Sequence, residues 1–220
     1  MISRPLSSEQ KSELGSQATA YQAQLQDHGE AMEYLLSRGL TEQTVADARL
    51  GYVGDAAPEH QQVQGRISIP YLTTSGVVKL RFRAMPSSGA KAKYMDLGGA
   101  DVKMYNALAL ARDQTGSTAY ITEGEMDALI AQQLGYTAVG IAGVQGWRDH
   151  FGLMLDGFEN VVILADNDDK GQGAEFGDML ASKLGNRSVK VVLMPAGHDV
   201  NSAYVDGGAE SLRDWIQGSF

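Results

Sequence analysis

The chain has 220 residues, 43% of them hydrophobic and 20% charged, an ordinary globular composition long enough to bury one or two cores. Its net charge of −9 argues against a uniformly basic nucleic-acid binder, and the absence of cysteine excludes disulfides, thiolate zinc sites and a cysteine nucleophile. No apolar run approaches the ~18 residues a membrane helix needs, and Met1 to Lys11 lacks a signal-peptide core, so a cytoplasmic location is expected.

From the N-terminus, Ser8–Gln26 has helix-forming composition but few large apolar groups, which predicts a peripheral helix. Glu30–Ser37 is a short helical stretch closed by Gly39, and Thr41 is placed to cap a helix over Glu42–Ala48. A Pro/Gln-rich loop follows from Gly54 to Gln64. Arg66–Pro70 and Val77–Ala84 then alternate as strands, joined by a hairpin loop at Thr73-Thr74-Ser75-Gly76. Lys79, Arg81 and Arg83 share one parity of the second strand and therefore one face.

From Ala119 onward strands alternate with helices. Strands are expected at Ala119–Thr122, Thr137–Ile141, Val161–Ala165 and Val189–Leu193. Helices are expected at Glu125–Leu134, Trp147–Leu155 and about Gly173–Leu184, with short helices after the last strand. Continuous apolar strands between amphipathic helices predict an α/β fold with a parallel sheet covered on both faces. Trp147 and Trp215 fall in helical patterns and are expected in the core. The expected organisation is an N-terminal helical extension (1–27), a basic α+β subdomain (28–115) and a parallel-sheet domain with C-terminal helices (116–220).

Charge separates along this order. Between Lys79 and Arg112 there are seven basic residues against two acidic ones; between Tyr120 and Lys170 there are nine acidic against two basic. That succession suits a polyanion track beside a cation site, although two solvated faces of opposite sign would give the same pattern.

Ligands of open parallel sheets bind beyond the carboxyl ends of the strands. Glu123 follows one such strand, in Glu123-Gly124-Glu125-Met126-Asp127, and Asp166 and Asp168 follow another. Asp and Asn there are also common turn and cap formers, but two clusters at equivalent ends of successive βα units make coincidence less attractive. Carboxylates brought that close need protons or a divalent cation, and magnesium favours one or two carboxylates together with substrate phosphates. His28, His60 and His150 lack ligand-like spacing. The glycine-rich Gly140–Gly146 lacks the lysine of an ATPase phosphate loop.

Glu-Gly-Glu-Met-Asp (123–127) after a strand, with VVILADNDDKGQGA (161–174) some forty residues on, resembles the Toprim signature in its DnaG-like primase form. Further similarity lies in His198-Asp199-Val200-Asn201 before Gly207-Gly208, in Tyr34–Leu40, and in Lys91–Tyr94. The resemblance implies a Rossmann-like Toprim sheet preceded by a smaller basic α+β subdomain. It also implies template-directed RNA primer synthesis by metal-dependent nucleotidyl transfer. Glu123, Asp166 and Asp168 would be catalytic and metal-binding, with Asp127 and Asp199 supporting the metals and Asn201 assisting. Arg83 and Lys93, then Lys103, Arg81, Lys79, Lys170 and His198, would contact nucleic acid or nucleotide.

The implied cofactor is Mg2+, with Mn2+ as a substitute and no zinc. The implied partners are single-stranded DNA, ribonucleoside triphosphates, and a separate replicative helicase and zinc-ribbon protein, as in a compact phage or mobile-element version. A Toprim nuclease and a non-catalytic nucleic-acid-binding replisome module are the rival readings.

Overall fold

The computed structural model describes residues 5–97, 101–113, 115–168, 171–185 and 188–219; Lys170 lies outside them. The chain divides into two compact units, Met1–Asp101 and Val102–Phe220.

The first unit holds helices α1 (Ser8–Gln26), α2 (Gly29–Ser37) and α3 (Glu42–Asp47) and strands β1 (Gly51–Tyr52), β2 (Arg66–Thr73), β3 (Gly76–Ala84) and β4 (Tyr94–Asp96). The strands form an antiparallel sheet in the order β1-β2-β3-β4. β2 and β3 make the expected hairpin, with Arg66 opposite Ala84 and Thr73 opposite Gly76. Thr41 caps α3 as expected, its Oγ1 accepting from the Thr44 N–H at 3.1 Å.

α1 is not peripheral. Ser7 caps it in a reciprocal box with Gln10, and Ala18, Tyr21 and Leu25 are buried. Ala18 and Tyr21 join a core with Val53, Val63, Leu80 and Phe82. Two small devices replace the broad apolar stripe the sequence lacks. Tyr21 donates or accepts at 2.7 Å with the buried His60 ring. Gly51 also lets β1 lie directly on the helix backbone, since a Cβ there would sit 2.5 Å from the Tyr21 carbonyl carbon.

The second unit is a parallel sheet in the order β6-β5-β7-β8, made of β5 (Thr118–Thr122), β6 (Thr137–Gly140), β7 (Asn160–Ala165) and β8 (Ser188–Leu193). Its helices are α4 (Ala107–Arg112), α5 (Glu125–Gln133), α6 (His150–Met154), α7 (Gln172–Leu184) and α8 (Val200–Gly218). Ile121, Val139, Ile163 and Ala165 pack on one face with Phe176 and Leu180 of α7 and with Trp147 and Phe151. The opposite parity, including Val162 and Leu164, is equally buried, and α5 lies against β5 and β6 with α8 behind it. Burial of each such side chain is worth about 1.5–3 kcal/mol. α8 is broken at Gly208 (φ 79°, ψ 178°), which yields the short C-terminal helices the sequence implies.

Two further expectations need correction. α6 starts three residues later than expected because Trp147 is extended (φ −70°, ψ 142°), which sets its indole edge-on to Phe151. Trp215 is 45% exposed rather than core; Leu212 and Ile216 take the buried face of α8. Among the described residues no helix is long and apolar enough to cross a membrane.

Candidate active site

β5 and β7 are adjacent and parallel, with Thr122 opposite Leu164, so the residues that follow them emerge together at one sheet edge. Glu123 leaves β5 and Asp166 leaves β7. Glu123 Oε1 accepts a hydrogen bond from the Asp166 main-chain N–H at 3.2 Å, joining the two loops.

Glycines make this junction possible. A Cβ at Gly173, in the first turn of α7, would lie 1.8 Å from the Asp166 carbonyl oxygen, so only glycine lets α7 start against that loop. A Cβ at Gly124 would meet Asp127 Oδ2 at 2.5 Å. The buried Thr122 hydroxyl donates to the Gly124 carbonyl at 3.0 Å and fixes the turn.

Asp127 is buried on α5, and its Oδ1 accepts the Asn201 N–H at 2.9 Å. Asp199 is the N-cap of α8 and accepts the Ser202 N–H at 2.6 Å. Both carboxylates thus satisfy first-turn donors of α8. They also act at a distance. Burial, then Asp127, Glu123, Asp199 and Asp168, pushes the Asp166 carboxyl up to about 8. Burial likewise raises Glu123, opposed by its bond from Asp166 and reinforced by Asp168. Asp168 is exposed, and its Oδ1 lies 3.4 Å from the Gln172 N–H at the start of α7.

Among the described residues no three His, Asp or Glu side chains form a ready-made ligand set for a metal. The donors nevertheless fit a hard divalent cation. They are all oxygen, burial and then the neighbouring carboxylates have lifted one carboxyl far out of its usual range, and the buried Asp166 Oδ1 has no hydrogen-bond partner among the described residues.

Sequence reasoning gave Asn167 no role, yet it is closely bonded. Its N–H donates to the His198 carbonyl at 2.9 Å, its carbonyl accepts from Gly197 at 2.7 Å, and its amide donates to the Met194 carbonyl at 2.8 Å. The only signal available was an amide between two aspartates. His198 is already engaged: its ring donates to the Ala196 carbonyl (2.9 Å) and to Asp206 (3.0 Å). Those two partners hold the imidazolium above its ordinary pKa.

In the first unit, the β3 cations gather around β4. Lys79 pairs with Asp96 at 2.9 Å, and Arg81 lies 3.8 Å from the same carboxylate. Arg83 is only 6% exposed, donating from Nε to the Tyr34 hydroxyl at 2.6 Å and from a terminal nitrogen to the Tyr94 hydroxyl. Arg81, Arg83 and Lys93 all lie over the Tyr94 ring, at 4.5, 5.2 and 5.9 Å from its centre. Lys93 is exposed, whereas Lys79 and Arg83 are buried. Lys103, in the second unit, is half-buried just before Tyr105, which bridges to Gly140.

A family model described as Toprim-like matches residues 120–204, a span containing Glu123, Asp127, Asp166, Asp168 and Asp199. The Gene 57 protein of Mycobacterium phage D29 is 37% identical over 158 residues, covering 70% of this chain and 99% of that protein. The DNA primase of Deinococcus radiodurans is 23% identical over 228 residues, covering 86% of this chain but only 40% of the primase. Among solved structures, the Aquifex aeolicus primase (zinc binding and RNA polymerase domains) superposes with a TM-score of 0.81 at 21% identity, over 97% of this chain and 62% of that one.

Proposed function

Because the chain belongs to the Toprim family in its DnaG-like primase-core form, we propose that it is the catalytic core of a DNA primase, joining ribonucleotides on a single-stranded DNA template. It spans about two fifths of the bacterial primase it matches, so initiation by the whole protein, and any helicase or zinc-ribbon partner acting in trans, belongs to the same proposal. The observation that carries the reading is the pair of post-strand carboxylate loops on neighbouring parallel strands, bonded to each other through Glu123 and Asp166.

Asp166 and Asp168 would hold Mg2+ or Mn2+ with Glu123 facing it, and Asp127 and Asp199 would complete the negative field. A bound cation supplies charge neutralisation to the phosphate oxygens during nucleotidyl transfer. The chain's own residues do the rest. Glu123, its carboxyl raised by burial, takes the proton of the primer 3′-hydroxyl as the 3′ oxygen bonds to the α-phosphorus of the incoming nucleotide. The bond to the leaving pyrophosphate breaks in the same displacement. Lys93 and Arg81 contact template phosphates, positioning the strand without reading its sequence. Arg83 keeps the Tyr34–Tyr94 pair in place beneath them.

The test is Mg2+- or Mn2+-dependent incorporation of labelled ribonucleotides on single-stranded DNA, comparing the parent with Asp168→Ala. Loss of incorporation in the variant supports the assignment; full activity refutes it. Strand cleavage without nucleotides would point instead to a Toprim nuclease, and strand binding without either reaction to an accessory module.

A further inference from the structure

Asp166 and Asp168 sit on one short loop with Asn167 between them, and Asn167 makes three hydrogen bonds to the segment after β8 (Met194, Gly197 and His198). Met194 is itself fixed, buried with its N–H on the Ala165 carbonyl at 2.9 Å. Five residues beyond, Asp199 opens α8, and α8 donates its Asn201 N–H to Asp127. The segment 194–201 therefore ties the Asp166–Asp168 loop at one end and Asp127 at the other. Without such ties, a loop carrying two carboxylates next to Glu123 would relax outward under like-charge repulsion.

We infer that the Asn167 side chain is a positioning residue. Its amide bond to the Met194 carbonyl holds Asp166 and Asp168 at the spacing a shared divalent cation requires. This rests on the metal-dependent reading above and adds to it a residue that is not itself a ligand. The amide is suited to the task because it donates a hydrogen bond without adding charge. Partners of this outer kind commonly change metal affinity about 10–100-fold when removed.

The experiment measures Mn2+ affinity of the full chain from the loss of the free-ion electron paramagnetic resonance signal. It compares the parent with Asn167→Ala, Asn167→Asp and Asp168→Ala, each checked for a cooperative melt without metal. Asn167→Asp separates two accounts, because it keeps the side chain's size while replacing the donor with another carboxylate. If only charge governed the loop, it would tighten Mn2+ binding. If the tether governs, both Asn167 variants weaken binding about tenfold or more.

Parent-like or tighter binding by either Asn167 variant, with Asp168→Ala clearly weakened, overturns the inference and leaves the site assignment standing. Parent-like binding by Asp168→Ala overturns both. If Asn167→Ala melts without cooperativity, the decision passes to Asn167→Asp, whose effect on Mn2+ has opposite sign in the two accounts.

Discussion

Replacing Asp166 with asparagine should make the cation-free protein more stable, and increasingly so as pH rises. An unfolded aspartate titrates near 3.9, whereas burial and four neighbouring carboxylates push folded Asp166 up to about 8. Between those values the folded state keeps a proton the unfolded state has lost. Stability therefore falls as pH climbs from about 4 to about 8 and levels off above. At about 1.4 kcal/mol per unit the full interval would cost between about 5 and 6 kcal/mol; Asp166 is only partly shielded from solvent, so about 2–3 kcal/mol is the working figure.

Asparagine keeps the shape and removes the charge, abolishing this slope apart from the part due to Glu123, which runs in the same direction. Urea denaturation in EDTA at pH 5 and pH 8.5 measures the gap between parent and variant. The gap should widen at pH 8.5 with unchanged m-values, and millimolar Mg2+ should narrow it by stabilising the parent alone. A variant no more stable than the parent at pH 8.5, with a gap indifferent to pH, would refute the reasoning.

Gly173→Ala forces a methyl into the Asp166 carbonyl; it should cost about 1–3 kcal/mol in chemical denaturation and weaken Mn2+ binding as well. Phe176→Ala empties the fully buried centre of the parallel-sheet unit and should cost about 3–5 kcal/mol, read as a lowered melting temperature. Lys93→Ala should weaken single-stranded DNA binding similarly for unrelated sequences and reduce the slope of log affinity against log salt by about 1. A sequence-selective loss would contradict the backbone role given to Lys93.

The sheet and its two acidic loops were legible because the strands are short, largely apolar runs between helical patterns and each loop begins with a carboxylate at the same strand end. The β2–β3 hairpin was legible from alternation and its Thr-Ser-Gly turn. What stayed hidden depends on partners distant in sequence. The Tyr34–Arg83–Tyr94 cluster joins residues 49 and 11 positions apart, so Arg83 reads as an exposed strand cation until β4 is seen beside β3. Asp127 and Asp199 read as members of a metal cluster, and only the position of α8 reveals that both also cap its N-terminus. β1, with two residues, and β4, with three, are too short to show any period. The helix α1 was legible at Ser8–Gln26, but its burial was not, because three buried residues over 19 leave almost no amphipathic signal.

The most direct measurement is anomalous diffraction from crystals soaked in Mn2+. The account predicts a peak within ligand distance of Asp166 and Asp168, with Glu123 facing it. A peak away from these carboxylates, or none at saturating Mn2+, would contradict it.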